Sequence, residues 1–119
     1  MKELRDLVTI VLGREGHSVD TVADGRHALA HVTQPDTASY DLLITDHHMP
    51  EMNGLELVRE LRRHSFNGKI LVFSSEISHE VRDKYRQLAV DRILPKPVFP
   101  AQLRETLREL FSAPVSPST

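Results

Sequence analysis

Short apolar runs that are followed directly by a polar residue are the feature that most constrains how this chain can fold. Three of them stand out: residues 42–45 before Asp46, residues 70–73 before Ser74, and residues 93–95 before Lys96. Near-continuous apolar runs of this length are typical of parallel strands that are covered on both faces. The carboxyl ends of parallel strands meet at one edge of the sheet, which is where open α/β sheets bind ligands. We therefore expect a carboxylate, a hydroxyl and an ammonium to converge there, as a site that handles a phosphoryl group.

Amphipathic segments separate these runs. Residues 4–12 carry apolar side chains at helical spacing, and the polar positions Arg5, Asp6, Thr9 and Arg14 favour a helix. A buried strand over residues 7–12 remains the alternative. Further helices are predicted over residues 25–32, 54–62, 76–88 and 101–111, and further strands over residues 18–22 and 92–94.

Strands that alternate with helices in this way predict an α/β fold, three-layer, with a doubly wound parallel sheet. A length of 119 residues is ordinary for one domain. We assign residues 1–111 to that domain. Residues 112–119, which contain Pro114 and Pro117, are predicted to be a mobile tail.

Composition narrows the possible functions. The chain contains no cysteine, so neither a disulfide framework nor a zinc–thiolate site is possible. The formal net charge is -2. This charge balance gives no reason to expect direct binding to nucleic acid. No apolar stretch is long enough to cross a membrane, and the first residues do not resemble a signal peptide. A cytoplasmic protein is expected.

The stretch from Asp46 to Gly54, with its Met-Pro and Asn-Gly pairs, resembles the phosphoacceptor strand and loop of bacterial two-component response regulator receiver domains. Ser74 lies 28 residues after Asp46, and Lys96 lies another 22 residues on, similar to the hydroxyl and Lys-Pro positions of that family. The resemblance extends from Leu4 to Leu110. It implies a flavodoxin-like receiver fold and a cis bond between Lys96 and the proline that follows it.

The resemblance also implies a role for each site residue. Asp46 would accept a phosphoryl group from a histidine kinase or phosphotransfer protein, Lys96 would balance the phosphoryl charge, and Ser74 would donate its hydroxyl to the phosphoryl group. His48 would tune the lifetime of the phosphoryl group. Ile93 occupies the switch position, where the family has an aromatic residue. Enzymatic activity would be limited to self-catalysed phosphotransfer and dephosphorylation.

The sequence departs from the family at its start. The family's first strand, which ends in an acidic pair that holds a divalent cation, would fall before Met1. Asp46 and the backbone carbonyl of His48 are the family-type metal ligands that remain, so Mg²⁺ binding is expected to be weak or absent. Because that strand is central in the family, we expect a longer natural product, a strand supplied by another chain, or refolding of the first segment. A homodimer or strand exchange is the resulting expectation.

Several alternatives stay open. The leading hypothesis is a receiver that is phosphorylated on Asp46 and changes its partner-binding surface. The alternative is a pseudo-receiver that binds partners without phosphorylation, and a phosphohydrolase is disfavoured because no second acid stands nearby. A metal site at His47 and His48 is also disfavoured, since neighbouring side chains of an extended chain point apart. Tyr85 is the nearest aromatic residue that could compensate for Ile93. The other histidines are predicted to lie on the surface: His17, His27, His31, His64 and His79.

Overall fold

A computed structural model describes residues 2–22, 25–33, 40–48, 52–75 and 77–111 of the chain, so the predicted tail lies outside the described residues. The helices and strands are α1 (Lys2–Arg14), α2 (Gly25–Thr33), β1 (Leu42–Asp46), α3 (Gly54–Arg63), β2 (Lys69–Ser74), α4 (His79–Gln87), β3 (Arg92–Pro95) and α5 (Pro100–Phe111). They form two compact units. One comprises Val22–Pro97, and the other comprises Met1–Thr21 together with Val98–Thr119.

The first of these units contains a parallel sheet with the strand order β1-β2-β3. Ile44 of β1 lies beside Leu71 of β2, and Val72 of β2 lies beside Ile93 of β3. The residues of β2 from position 70 to position 74 are all buried, on both faces of the strand. This burial explains why the run is apolar throughout, and the predicted parallel pairing is confirmed.

Helix α3 begins with a complete capping box. The Asn53 side chain accepts a hydrogen bond from the backbone N–H of Glu56, and the Glu56 carboxylate accepts one from the backbone N–H of Asn53. The two bonds satisfy backbone donors that the start of a helix otherwise leaves unpaired. The apolar face of α3 is buried, and its central residues are Leu57, Val58 and Leu61.

A hydrophobic core joins α3, α4 and the sheet of this unit. Its buried members are Leu43, Leu55, Leu57, Val58, Leu61, Ile70, Val72 and Tyr85. Partly buried side chains of α2, including Leu29 and Val32, pack against it. The core therefore holds the strands and helices that carry the candidate site.

In the second unit, the helical prediction for the first segment is confirmed and the strand alternative is wrong. Val11 and Leu12 on one side of α1 are buried. Arg108 of α5 donates a hydrogen bond to the Glu15 carboxylate that follows α1, at 3.1 Å. An ion pair of this exposed kind contributes little to stability.

Three sequence predictions need correction. Residues 18–22 form no strand in the described part of the chain, because alternating side chains make a strand only where a neighbour pairs with the backbone. The fourth helix begins at His79 rather than within residues 76–78, because the Ser78 hydroxyl caps it by accepting from the Val81 N–H. His31, which was predicted to lie on the surface, is half-buried, and its Nε2 atom lies 2.6 Å from the Tyr40 hydroxyl.

Arg62, near the end of α3, binds backbone carbonyls of the segments that follow α3 and α4. Its guanidinium donates to the backbone carbonyls of Leu88 at 2.8 Å, Phe66 at 2.7 Å and Ala89 at 2.9 Å. Carbonyls at helix ends lack partners within the helix, so one planar cation satisfies several of them at once.

We expect Arg62→Ala to lower the free energy of unfolding by about 2 kcal/mol, because several charge-assisted hydrogen bonds are lost together. Arg62→Lys should recover less than half of that loss, since an ammonium cannot reproduce the planar fork. Urea denaturation measures both. The matched control is Arg63→Ala, whose side chain is 72% exposed and pairs only with Glu60 in the described structure, and it should cost no more than about 0.5 kcal/mol. Equal losses for the Arg62 and Arg63 variants would contradict this role.

Candidate functional site

A close ion pair lies at the carboxyl edge of the sheet. Asp46 is the last residue of β1, and Lys96 directly follows β3. The Lys96 Nζ atom lies 2.5 Å from the Asp46 Oδ2 atom, although β2 runs between the two strands. The side chains are 13% exposed for Asp46 and 16% exposed for Lys96, so solvent screens their attraction only weakly. The peptide bond between Lys96 and Pro97 is cis, as the resemblance implies.

Ser74 ends β2 at the same edge. Phe73, the residue before it, lies beside Asp46 in the sheet, and Ser74 itself lies beside Pro95. The backbone N–H of Lys96 donates to the Ser74 carbonyl at 2.8 Å. The structure thus places the predicted acid, hydroxyl and ammonium at the ends of three adjacent strands.

The Ser74 hydroxyl is buried and makes no hydrogen bond to any described residue. The residue as a whole is 3% exposed. A buried hydroxyl without a partner is costly, and most such groups in folded proteins are satisfied. Among the described residues, the sheet edge that carries the carboxylate and the ammonium therefore also carries a hydroxyl without a partner.

The residues after Asp46 close the site on one side. The backbone N–H of His48 donates to Asp46 Oδ1 at 3.1 Å, so both oxygens of this carboxylate are engaged. The rings of His47 and His48 meet edge to face, with centroids 4.8 Å apart. The two side chains therefore touch, contrary to the sequence expectation that they point apart, because the chain turns after β1 and is no longer extended.

His47 directs its ring toward the protein interior. Its Nδ1 atom lies 2.6 Å from the hydroxyl of Tyr85, a residue of α4 that is 0% exposed. Burial lowers the pKa of His47, and the nearby His48 lowers it further, while the Asp46 charge raises it. Burial also raises the pKa of Tyr85, with a further contribution from the Asp46 charge. These shifts favour the uncharged forms of both side chains, so the hydrogen bond between Nδ1 and the hydroxyl joins a neutral imidazole and a neutral phenol.

Gly54, the first residue of α3, makes room for this contact. A Cβ atom at this position would lie 2.7 Å from the Tyr85 hydroxyl oxygen and 2.8 Å from the Asp46 carbonyl oxygen. Both separations are below the range that carbon atoms tolerate, so a larger residue would force the phenol or the backbone to move. The Asn-Gly pair at the start of α3 therefore matters for packing as well as for capping.

The sequence singled out Tyr85 as an aromatic residue that could compensate for Ile93, but it did not predict the contact with His47. The available signal was the apolar stripe of α4 formed by Val81, Tyr85 and Leu88, which predicts that the phenol faces the core. Ile93, at the position predicted to be the switch, is half-buried and packs against the same core.

The donor set around Asp46 does not fit a site for Mg²⁺. A hard octahedral cation needs several oxygen ligands and commonly more than one carboxylate. Within the described ranges, no group of three or more His, Asp or Glu side chains could hold a metal ion. The Asp46 carboxylate is the one family-type acid there, and an ammonium occupies one of its oxygens.

Among the described residues, no helix is long and apolar enough to cross a membrane.

Comparisons with known proteins agree with this geometry. The profile of the response regulator receiver domain family matches residues 1–108. The alkaline phosphatase synthesis transcriptional regulatory protein SphR of Synechococcus elongatus is 34% identical over 114 residues, which cover 91% of this chain and 44% of SphR. The chain thus spans less than half the length of that relative.

Solved structures show the same fold. Chemotaxis response regulator CheY4 of Vibrio cholerae superposes with a TM-score of 0.80 at 32% identity, covering 92% of this chain and 90% of CheY4. The receiver domain of the sensor histidine kinase PA1611 of Pseudomonas aeruginosa, solved with a magnesium ion in its active-site cleft, gives a TM-score of 0.77 at 22% identity. That match covers 92% of this chain and 88% of the PA1611 domain.

These similarities confirm the predicted three-layer, doubly wound α/β class and its receiver-type architecture. The family profile extends over most of the chain and includes all three residues of the sheet-edge site. The chain belongs to the response regulator receiver domain family of two-component signalling systems.

Proposed function

We propose that this chain is a phosphoacceptor receiver in which Asp46 takes a phosphoryl group from a phosphohistidine of a histidine kinase or phosphotransfer protein. The observation that carries the proposal is the ion pair between Asp46 and Lys96 at the same sheet edge as the Ser74 hydroxyl, which has no partner among the described residues. A carboxylate nucleophile, a cation and a free hydrogen-bond donor are the groups that phosphoryl transfer requires.

The chemistry follows from these positions. A carboxylate oxygen of Asp46 attacks the phosphorus in line, the bond between phosphorus and the donor's imidazole nitrogen breaks, and an acyl phosphate forms. The imidazole leaves with the bonding electron pair and takes a proton from solvent. The Lys96 ammonium then moves from the carboxylate to the phosphoryl oxygens, where the negative charge has increased.

Ser74 accounts for how the modified state differs from the resting one. Its hydroxyl has no partner among the described residues of the resting chain, so a phosphoryl oxygen on Asp46 would supply the missing acceptor. The new bond is charge-assisted and therefore stronger than a bond between neutral groups. Formation of this bond would draw the loop after β2 toward the site and alter the partner-binding surface.

His48 is proposed to influence the lifetime of the phosphoryl group. Its backbone N–H already binds the Asp46 carboxylate, and its side chain is exposed beside the site. A side chain in that position can influence the access of water to the acyl phosphate.

The alternative is a pseudo-receiver that binds its partners without phosphorylation. The specific observation in its favour is the single carboxylate of the site, which is held by Lys96 and lacks the acids of a metal centre in the described ranges.

We expect that incubation of the chain with acetyl phosphate, in parallel with and without Mg²⁺, yields an adduct of one phosphoryl group that intact mass spectrometry detects. Asp46→Asn should abolish the adduct, because the amide is not a nucleophile toward phosphorus. Asp83→Asn changes an exposed aspartate of α4 and should leave the adduct intact. An adduct that persists in Asp46→Asn would refute the assignment of Asp46, whereas its absence from the unmodified chain in both conditions would favour the pseudo-receiver.

Ser74→Ala separates a functional hydroxyl from a structural one. No hydrogen bond to a described residue is lost, so the free energy of unfolding should stay within about 0.5 kcal/mol of the parent or increase. The rate of adduct formation should fall by about tenfold, because one charge-assisted hydrogen bond to the phosphoryl group disappears.

The control for this experiment is Ser75→Ala at the neighbouring exposed position. It should change neither the unfolding free energy nor the rate. Denaturant unfolding and time-resolved mass spectrometry measure the two quantities. A Ser74→Ala variant that is phosphorylated at the parental rate would show that the hydroxyl takes no part in the transfer.

A further inference from the structure

A hydrogen bond connects the residue after Asp46 to the buried face of α4. The Nδ1 atom of His47 lies 2.6 Å from the hydroxyl of Tyr85, and the two rings meet edge to face at a centroid distance of 5.6 Å. Tyr85 is completely buried and belongs to the core that α4 shares with α3 and the sheet. A displacement of the imidazole must therefore be matched by movement of the phenol, or the bond breaks and the buried phenol loses its partner.

His47 is held from several directions. Its backbone N–H donates to the Phe73 carbonyl of β2 at 2.9 Å, and its carbonyl accepts from the Gly54 N–H of α3 at the same distance. The absence of a side chain at Gly54 lets the phenol approach. Residue 47 thus connects β1, β2, α3 and α4, and the Tyr85 bond is its side-chain link to α4.

The charge of Asp46 reaches this link. The Asp46 carboxylate accepts from the backbone N–H of His48, and the His48 ring rests against the His47 ring. The electrostatic field of the carboxylate acts on both the imidazole and the phenol. The phenol is shielded from bulk water and the imidazole is partly buried, so a change in a neighbouring charge has a larger effect on them than it would have on an exposed surface.

We propose that Tyr85 is a positioning residue that transmits a change of charge at Asp46, through His47, to the stability of α4. This route does not use the residue at position 93, where the half-buried Ile93 has no polar group to exchange between partners. The biological use of this route rests on the proposed function, because phosphorylation would be the natural change of charge at Asp46. The coupling between Asp46 and α4 does not itself require phosphorylation.

The test replaces phosphorylation with a mutation, so that it does not depend on whether the chain accepts a phosphoryl group. Four full-length proteins are compared: the parent, Asp46→Asn, Tyr85→Phe and the double variant. Amide hydrogen exchange across α4 is measured for each by NMR or mass spectrometry. Asp46→Asn should change α4 exchange rates by at least about twofold, and in the Tyr85→Phe background the same substitution should change them by less than half as much on a logarithmic scale.

A matched control comes from the second tyrosine. Tyr40 also lies 2.6 Å from a histidine, at His31 Nε2, but this pair is joined to α2 rather than to α4. Tyr40→Phe should leave the effect of Asp46→Asn on α4 unchanged. An Asp46→Asn effect of equal size with and without the Tyr85 hydroxyl would overturn the proposal, as would the absence of any effect on α4 in the parent background.

Two further variants keep the proposal falsifiable where Tyr85→Phe fails to fold. His47→Leu breaks the same bond from the other side and should remove the coupling. His47→Asn retains an amide, which can donate or accept, near the position of Nδ1 and should preserve the coupling. Coupling that survives His47→Leu, or that is lost equally in the leucine and asparagine variants, would show that the hydrogen bond is not the route. Phosphorylation by acetyl phosphate, scored separately, reports on the proposed function alone.

Discussion

The parallel hydrogen-bonded register of β1, β2 and β3 is the constraint on which the site depends. It brings Asp46 and Lys96, fifty positions apart in the chain, to a separation of 2.5 Å. The register is stabilised by burial, since a shift of one residue along β2 would turn its apolar side chains to the opposite faces and break the packing of the core. The positions of the polar side chains at the sheet edge are thus fixed by the buried apolar residues of the strands.

The site combines polar groups that are satisfied with one that is not. Asp46 has partners for both oxygens, and the phenol of Tyr85 has an imidazole partner. Ser74 has a buried hydroxyl with no partner in the described structure. Because unmet buried donors are unfavourable, such a group is a natural place for an incoming acceptor to bind. In the proposed phosphorylated state, a phosphoryl oxygen would supply the acceptor that this hydroxyl lacks among the described residues.

Much of this could be anticipated from local patterns. The apolar runs before Asp46 and Ser74 indicated strands covered on both faces, and the polar residue that follows each run indicated a shared edge. The prediction failed where structure depends on partners rather than on pattern. Residues 18–22 alternate like a strand yet pair with no strand in the described chain, and Ser78 moves the start of α4 to His79. Caps and pairing are decided by atoms that a hydrophobic pattern does not represent.

The sequence by itself determined the order and type of most helices and strands, the parallel sheet and the residues at its edge, because these follow from periodicity and from the residue that ends each run. Only the tertiary structure decided which side chains meet. His47 contacts Tyr85, and Arg62 binds carbonyls of the segments that follow α3 and α4. Gly54 leaves the space that the Tyr85 hydroxyl needs. Each of these contacts is between residues of different helices, strands or loops. Such contacts depend on distances of a few tenths of an ångström between helices and strands, and these distances are set by the packing of the whole core.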